Sequence, residues 1–236
     1  MIREICFPEL LSGRELDIFL SKGWFRMGQS IFTTDFARIN GSYLPVYWMR
    51  IDLEQYHFAR SRRKLLAANR EYEVLVKPFI LTGEAEALYD RYAFSVDFEA
   101  PRSIEEFLYF GAGYNIYDSY AIEVRHRGYL IALGIFDRGD DSIAGIMNFY
   151  DPAYRAKSLG KYLMLLKMKY AHEQGIKWYY LGYIAGGTTK FDYKLFPDPF
   201  ATTIYDSYND MWVPYIPVGQ EMVATRYPAL VTGMDE

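Results

Sequence analysis

The sequence predicts an α+β fold: a mixed, mainly antiparallel sheet flanked by helices. Three observations point to it. Between residues 119 and 151, three aliphatic and aromatic runs are joined by turn segments at His126–Gly128 and Arg138–Asp141, the pattern of consecutive antiparallel strands. The last run, ending in "FYDP", passes through a basic loop into a helical pattern from Ser158 to Gln174 and then into the aromatic strand "IKWYYLGYI". The order is thus three strands, a loop, a helix and a further strand. Upstream, short aromatic and β-branched runs alternate with helical segments and carry no repeat or low-complexity linker.

Taken in order, "ELDIFLSK" at 15–22 reads as a short helix ended by Gly23. "WFRMGQSIFTTDF" and "LPVYWMRIDL" read as strands separated by the turn "NGS". "ARSRRKLLAANRE", from Ala59 to Glu71, predicts a basic helix, and the strand "YEVLVKPFI" follows. Residues 84–97 and 103–110 have helical spacing, with Pro101 breaking between them. After the three strands, the long helix ends at Gly175, a residue suited to a left-handed cap. "GGTTKFDYKLFPDP" reads as an irregular loop, and the tail after Val213 as extended chain. Residues 1–110 form an N-terminal half and 111–236 a C-terminal core, with an extensive interface expected between them.

With 236 residues, 51% apolar and 18% aromatic, the chain can bury a sizeable core. Most of its 23 tyrosines and 16 phenylalanines are expected to fill that core. The net charge of −4 argues against a protein that wraps nucleic acid through many phosphate contacts, yet allows a local basic patch for one RNA end. No apolar run approaches a membrane span, and "MIREICFPELL" lacks signal-peptide design. Cys6 is the single cysteine, and His57, His126 and His172 are far apart in sequence, so neither a disulfide nor a metal site is expected. The chain reads as cytoplasmic, with no membrane partner and a monomer as the default.

The start of the long helix is the most informative stretch. In "RAKSLGKY", Ser158 is placed to cap the helix, whose free amides and dipole attract anions. Gly160 has no Cβ, so a phosphate can approach the first turn, and Arg155, Lys157 and Lys161 add positive charge. Equally, Ser158-Leu159-Gly160 can simply start a core helix whose lysines reach solvent. This element order resembles the GNAT type of acyltransferase core, in which a helix N-terminus receives an acyl carrier's pyrophosphate between two splayed parallel strands. That type favours a glycine where Ser158 stands, so the loop fits the usual CoA pattern poorly.

Five stretches together resemble the arginyl-tRNA–protein transferase family, including its bacterial aspartate/glutamate leucyltransferase branch. "GWFRMGQSIF" is similar to the family's aromatic-Arg strand that runs to a glycine, and "FARSRRKLLAANREYEV" to its Arg-Ser-x-Arg-Arg segment leading to an Asn. "RGYLIALGIFDRGDDSIAGIMNFYDP" resembles its hairpin ending in aromatic-Asp-Pro, and "SLGKYLMLLKMKYAHEQGIKWYYLGY" its helix and Tyr-rich strand. "KFDYKLFPDP" followed by "WVPY" is similar to its Lys-x-x-Tyr-Lys loop and later Trp-Val-Pro. The family's cysteine cluster is absent apart from Cys6, so regulation through those cysteines is not carried over. The resemblance implies transfer of an amino acid, arginine or leucine, from aminoacyl-tRNA as co-substrate to the N-terminal amine of an acceptor bearing a destabilising residue, an N-degron reaction with no other cofactor.

Such chemistry needs a deprotonated amine, a held ester and a stabilised oxyanion. Asp151 can orient or deprotonate the amine, or it can form an Asx turn ahead of Pro152. Tyr180 and Tyr183, three apart on a strand, are expected to face opposite sides; Tyr183, nearer the strand end, is the candidate for a hydrogen bond to the leaving oxygen or carbonyl. Arg155, Lys157, Ser158, Leu159 and Gly160 are the candidate phosphate site. Lys190 and Lys194 are candidates for the terminal phosphates and Tyr193 for stacking the terminal adenine, against the alternative of an exposed charged loop. Arg60, Arg62, Arg63 and Lys64 are candidates for an acidic acceptor residue or RNA, against the alternative of a solvated helix face. Two other classes stand beside the transferase: a GNAT-type acyl-CoA N-acyltransferase, and a non-catalytic binder of N-termini or RNA.

Overall fold

The computed structural model describes residues 2–39, 41–98, 100–216 and 221–222. Its N-terminal part contains β1 (Ile2–Cys6), α1 (Gly13–Ser21), β2 (Phe25–Met27), β3 (Ser30–Thr34), β4 (Phe36–Ile39), β5 (Ser42–Asp52), α2 (Arg60–Ala68), β6 (Glu73–Pro78), α3 (Gly83–Ser95) and α4 (Ile104–Tyr109). Then come β7 (Ser119–His126), β8 (Tyr129–Arg138), β9 (Ser142–Tyr150), α5 (Leu159–Glu173), β10 (Trp178–Ala185), β11 (Thr202–Asp206) and β12 (Met211–Pro214). The main sheet runs β12-β11-β5-β10-β9-β8-β7-β6, with β4 also paired to β5, and every pairing is antiparallel except β9–β10. This is the α+β class the sequence predicts. Strands from both sides of residue 110 share this one sheet, because β5 and β6 precede it and β7 to β12 follow.

The three-strand meander and α5 arise where the turn and cap signals put them, and Gly175 adopts the left-handed cap with φ +69°. "WFRMGQSIFTTDF" departs from expectation. It is not one strand but three, with β2 and β3 paired as a hairpin around Gly28–Gln29, and β3 joined by β1 in a separate small sheet. Helices cover both faces of the main sheet. On one face Leu159, Leu163, Leu165 and Met168 of α5 pack with Ile122, Val124, Phe136 and Ile143. On the other, Leu88 and Tyr89 of α3 and Ile104 and Leu108 of α4 pack with Ala121, Leu133 and Ile135. Alternate residues such as Ala121 and Ile122 enter opposite cores, as a strand's two-residue period requires. At about 2 kcal/mol per fully buried Leu or Ile, these two layers supply the main stabilisation.

Two β-bulges open the centre of the sheet. β9 and β10 pair only from Ser142↔Trp178 to Ala144↔Tyr180. Just beyond, β9 carries an extra residue, Ile146, between its partners Phe136 and Ile135, and β10 carries an extra residue, Leu181, between its partners Arg50 and Met49. An added residue bends and twists its strand, so two bulges side by side turn the parallel pair apart. Gly182, at φ +81°, provides the left-handed backbone that the β10 bulge uses. The carbonyls at the β9 bulge are satisfied from below: Lys167 of α5, fully buried, donates from Nζ to Ile135 O at 2.6 Å and Met147 O at 3.1 Å.

Candidate functional site

The splay opens into a cleft of about 880 Å³. Its walls come from β2, β9, the start of α5, β10 and the loop after β10, with α3 and α4 contributing aromatic side chains. One wall is apolar. Phe25 stacks on Trp48 at 5.5 Å between centroids, Trp48 meets Tyr183 edge-on at 5.3 Å, and Tyr183 meets Phe191 at 5.2 Å. These rings, with Ile146, Met147 and Met164, surround space suited to an apolar side chain.

The charge of the lining is one-sided. Arg26, Arg155, Lys161, Lys190 and Lys194 line the cleft, and among the described lining residues there is no Asp or Glu. Arg26 is neutralised: buried, it pairs with Asp137 at 2.8 Å and donates to the carbonyls of Gly28 and Leu108. Burial pushes the Asp137 carboxyl up, against the pull of Arg26. Arg155, Lys161 and Lys190 are exposed at the rim. Lys194 lies deeper, half-buried, and burial brings its ammonium down to about 8. A chain of net negative charge thus has a cleft that repels cations and attracts anions.

At the start of α5, Ser158 and Gly160 face the cleft. Ser158 does not cap the helix through its hydroxyl as expected. Its backbone is left-handed, φ +53°, and links a 3-10 turn at Pro152–Lys157 to α5 with no side-chain cap bond, which leaves its hydroxyl available to a ligand. A left-handed backbone at this position is one that glycine adopts without strain. A Cβ on Gly160 would lie 3.5 Å from the Tyr150 ring, an ordinary contact, so the fold does not demand glycine at this position.

Other sequence candidates lie outside the cleft for identifiable reasons. Asp151 accepts from Ala153 N at 3.0 Å through one oxygen and pairs with Arg91 at 3.0 Å through the other, so it starts the turn and ties it to α3. The Lys157 amine is turned to Glu71, at 2.9 Å, and lies over the Tyr72 ring. Its hydrogen bond to Glu71 holds that ammonium above the usual lysine range. Leu159 is fully buried in the core beneath the loop. On α2, Arg60, Arg63 and Lys64 are exposed and outside the lining. Arg62 folds onto the chain after β10, donating to the carbonyls of Pro197 and Phe196 and lying over the Phe196 ring.

Tyr183, Lys190, Tyr193 and Lys194 line the cleft with Arg155, Ser158 and Gly160. The expected opposition of Tyr180 and Tyr183 is overturned by the β10 bulge. Tyr180 pairs with Arg50 and Tyr183 with Trp48, two residues apart on β5, so both rings share a face. Tyr180 is buried against Trp212, whereas Tyr183 stands past the splay. Burial raises the Tyr183 phenol, keeping it a neutral donor. Sequence reasoning missed Asn148, which lines the cleft with its Oδ1 buried and unpaired. A polar residue within the apolar run "IAGIMNFY" was the available signal. It also missed the wall of Phe25, Phe32 and Trp48, on β2, β3 and β5, signalled only by aromatic density in that part of the sequence.

Among the described residues no helix is long and apolar enough to cross a membrane. Residues 84–202 match the model of the family described as arginine-tRNA-protein transferase, C terminus. An aspartate/glutamate leucyltransferase of Leptospira interrogans is 31% identical over 215 residues, 88% of this chain and 81% of that one. Another, of Hahella chejuensis, is 29% identical over 166 residues, 68% of this chain and 69% of its own length. The solved structure of FemX shares the fold, with a TM-score of 0.50 at 11% identity over 80% of this chain and 65% of that one. With a family model matched over half its length and a relative aligned along most of it, this chain belongs to the arginine-tRNA-protein transferase family and is an aminoacyltransferase that acts on protein N-termini.

Proposed function

We propose that this protein transfers leucine from leucyl-tRNA to the N-terminal amine of proteins that begin with Asp or Glu. One observation carries the choice: the cleft has exposed cations at its rim, an aromatic and aliphatic wall, and no carboxylate among its described lining residues. An arginyl side chain would enter this space as an unpaired cation beside Lys194 and the rim charges, an arrangement that disfavours binding. A leucyl side chain finds only apolar partners to bury against, on the order of 2 kcal/mol. The names of the similar bacterial proteins agree with both the donor and the acceptor.

The reaction follows from the lining. The RNA's terminal phosphates lie at the start of α5, held by its free amides, Ser158 and the charges of Arg155 and Lys161. Lys190 extends this field across the mouth, and the exposed ring of Tyr193 gives the terminal adenine a face to stack on. The acceptor amine attacks the ester carbonyl, and collapse of the tetrahedral intermediate breaks the bond to the ribose oxygen, which takes up the proton that the attacking nitrogen loses as the amide forms. Tyr183, a neutral phenol, donates a hydrogen bond to the developing negative oxygen. An α-amine ordinarily titrates at about 8, so a useful fraction is already neutral, and the ester is itself activated. Positioning therefore supplies most of the rate, without a cofactor. The product, extended by leucine, is a substrate for N-terminus-dependent degradation in the cytoplasm.

The test is a donor-by-acceptor matrix: leucyl-, arginyl- and lysyl-tRNA, each labelled in the amino acid, with peptides starting in Asp, Glu, Arg or Lys. The expected label is leucine on Asp and Glu peptides. Arginine in the product, or leucine on Arg or Lys peptides alone, would overturn the reading.

A further inference from the structure

Lys194 is built unlike the other cations of the cleft. Its Nζ donates to the carbonyl of Tyr183 at 2.9 Å and lies 5.1 Å from the centroids of both the Tyr183 and Phe191 rings. The seat exists because Gly182 has no side chain: a Cβ there would stand 3.0 Å from Nζ. A carbonyl oxygen and two ring faces are all partial negative charge, so this is a socket for an ammonium. Yet no carboxylate among the described residues pairs with it. A half-buried cation without a counterion is an incomplete ion pair, and its depressed ammonium, at about 8, reflects that desolvation.

We propose that Lys194 is the recognition point for the side-chain carboxylate of the acceptor's first residue. This rests on the acceptor class proposed above and assigns it a site. Three features favour a side-chain carboxylate over an RNA phosphate. The ammonium is flanked by rings, whereas a hydrated phosphodiester chain is better served by the exposed Arg155, Lys161 and Lys190. Lys194 is fixed by the backbone of Tyr183 with Nζ 5.1 Å from that residue's ring centroid, so a carboxylate on one or two methylenes at Nζ keeps its α-amine within reach of the Tyr183 side chain. The basic run on α2 is not in the cleft, so it supplies no rival cation for the same group.

A site built to bond a charged group rejects the isostere that lacks the charge. Binding of an Asp-initiated pentapeptide and its Asn twin to the protein without RNA is measured by calorimetry, for the wild type, Lys194→Met and Lys194→Arg. The wild type is expected to prefer Asp by at least about tenfold, Lys194→Met to lose that preference, and Lys194→Arg to restore part of it. In transfer assays Lys194→Met raises KM for the Asp peptide while KM for leucyl-tRNA stays unchanged. An unchanged Asp/Asn ratio in Lys194→Met, or a rise confined to the KM for tRNA, overturns the proposal in favour of a phosphate contact. A fall in kcat alone, without rescue by arginine, overturns it in favour of a proton acceptor. The binding arm needs no donor, so a wrong donor amino acid sinks the proposed function and leaves this test standing.

Discussion

Replacing Gly160 with Asp should make the protein more stable and weaken its hold on aminoacyl-tRNA roughly 30-fold. Gly160 is the second residue of α5, its backbone is ordinary, and a Cβ there meets nothing closer than the Tyr150 ring at 3.5 Å. Removing a helical glycine gains about 0.5–1 kcal/mol, and an acidic side chain in the first turn gains a further ~0.3–1 kcal/mol from the helix dipole. A net gain near 1 kcal/mol raises the melting temperature by about 2–4 °C for a domain of this size. The same carboxylate would stand where a phosphate binds. Two like charges ~4 Å apart repel by about 4 kcal/mol at an effective dielectric of 20. Halving this for the half-exposed setting leaves ~2 kcal/mol, roughly 30-fold in KM for aminoacyl-tRNA. Gly160→Ala should keep the stability gain with a smaller kinetic loss. Thermal melts and steady-state transfer with varied tRNA provide the assay. An Asp variant with wild-type KM for tRNA would refute the placement of phosphate at α5, and an unfolded one would refute the claim that the fold tolerates a side chain there.

Arg62→Ala should destabilise the protein by about 1–2 kcal/mol, since two carbonyl contacts and the cover of the Phe196 ring are lost; Arg60→Ala, Arg63→Ala and Lys64→Ala should fall within about 0.5 kcal/mol of wild type and leave KM for the acceptor unchanged. Asp137→Ala strands the buried Arg26 and should cost about 3–5 kcal/mol, seen as a shift of the urea midpoint with an unchanged slope. Binding of an RNA that ends in the single-stranded tRNA tail should weaken with salt at a log–log slope near about −2, from three exposed rim cations at ~0.7 each, and Arg155→Ala or Lys161→Ala should each remove about 0.7 of it.

The parts of this fold that were legible are those written in local chemistry. Tight-turn residues bracket β7, β8 and β9, and α5 runs between a glycine-containing start and the Gly175 cap. β1 gave no signal because its residues are mostly exposed and show no alternation, and β11 is a five-residue strand placed by its pairing to β5. The bulge at Leu181 reverses the parity of everything after it, so the two-residue rule cannot say where Tyr183 points. Lys167 falls one turn from Leu163 and Ala171 on the apolar stripe, yet only the β9 bulge explains why a lysine is wanted there. The long-range partners were out of reach: Asp137 is 111 residues from Arg26, and Pro197 is 135 from Arg62. The cleft's one-sided charge was hidden for the same reason, since segments far apart in the chain contribute to it and the whole sequence is acidic.

In the proposed reaction the gap between β9 and β10 holds the charged end of the RNA with the leucyl group against the aromatic wall. A crystal structure with a non-hydrolysable leucyl-adenosine amide carrying a 5′-phosphate tests it most directly. The phosphate is expected at Ser158–Gly160, the leucyl side chain against Trp48 and Met147, and the amide carbonyl beside Tyr183. The same compound seated on α2, or a gap between the strands left empty at saturating compound, would contradict it.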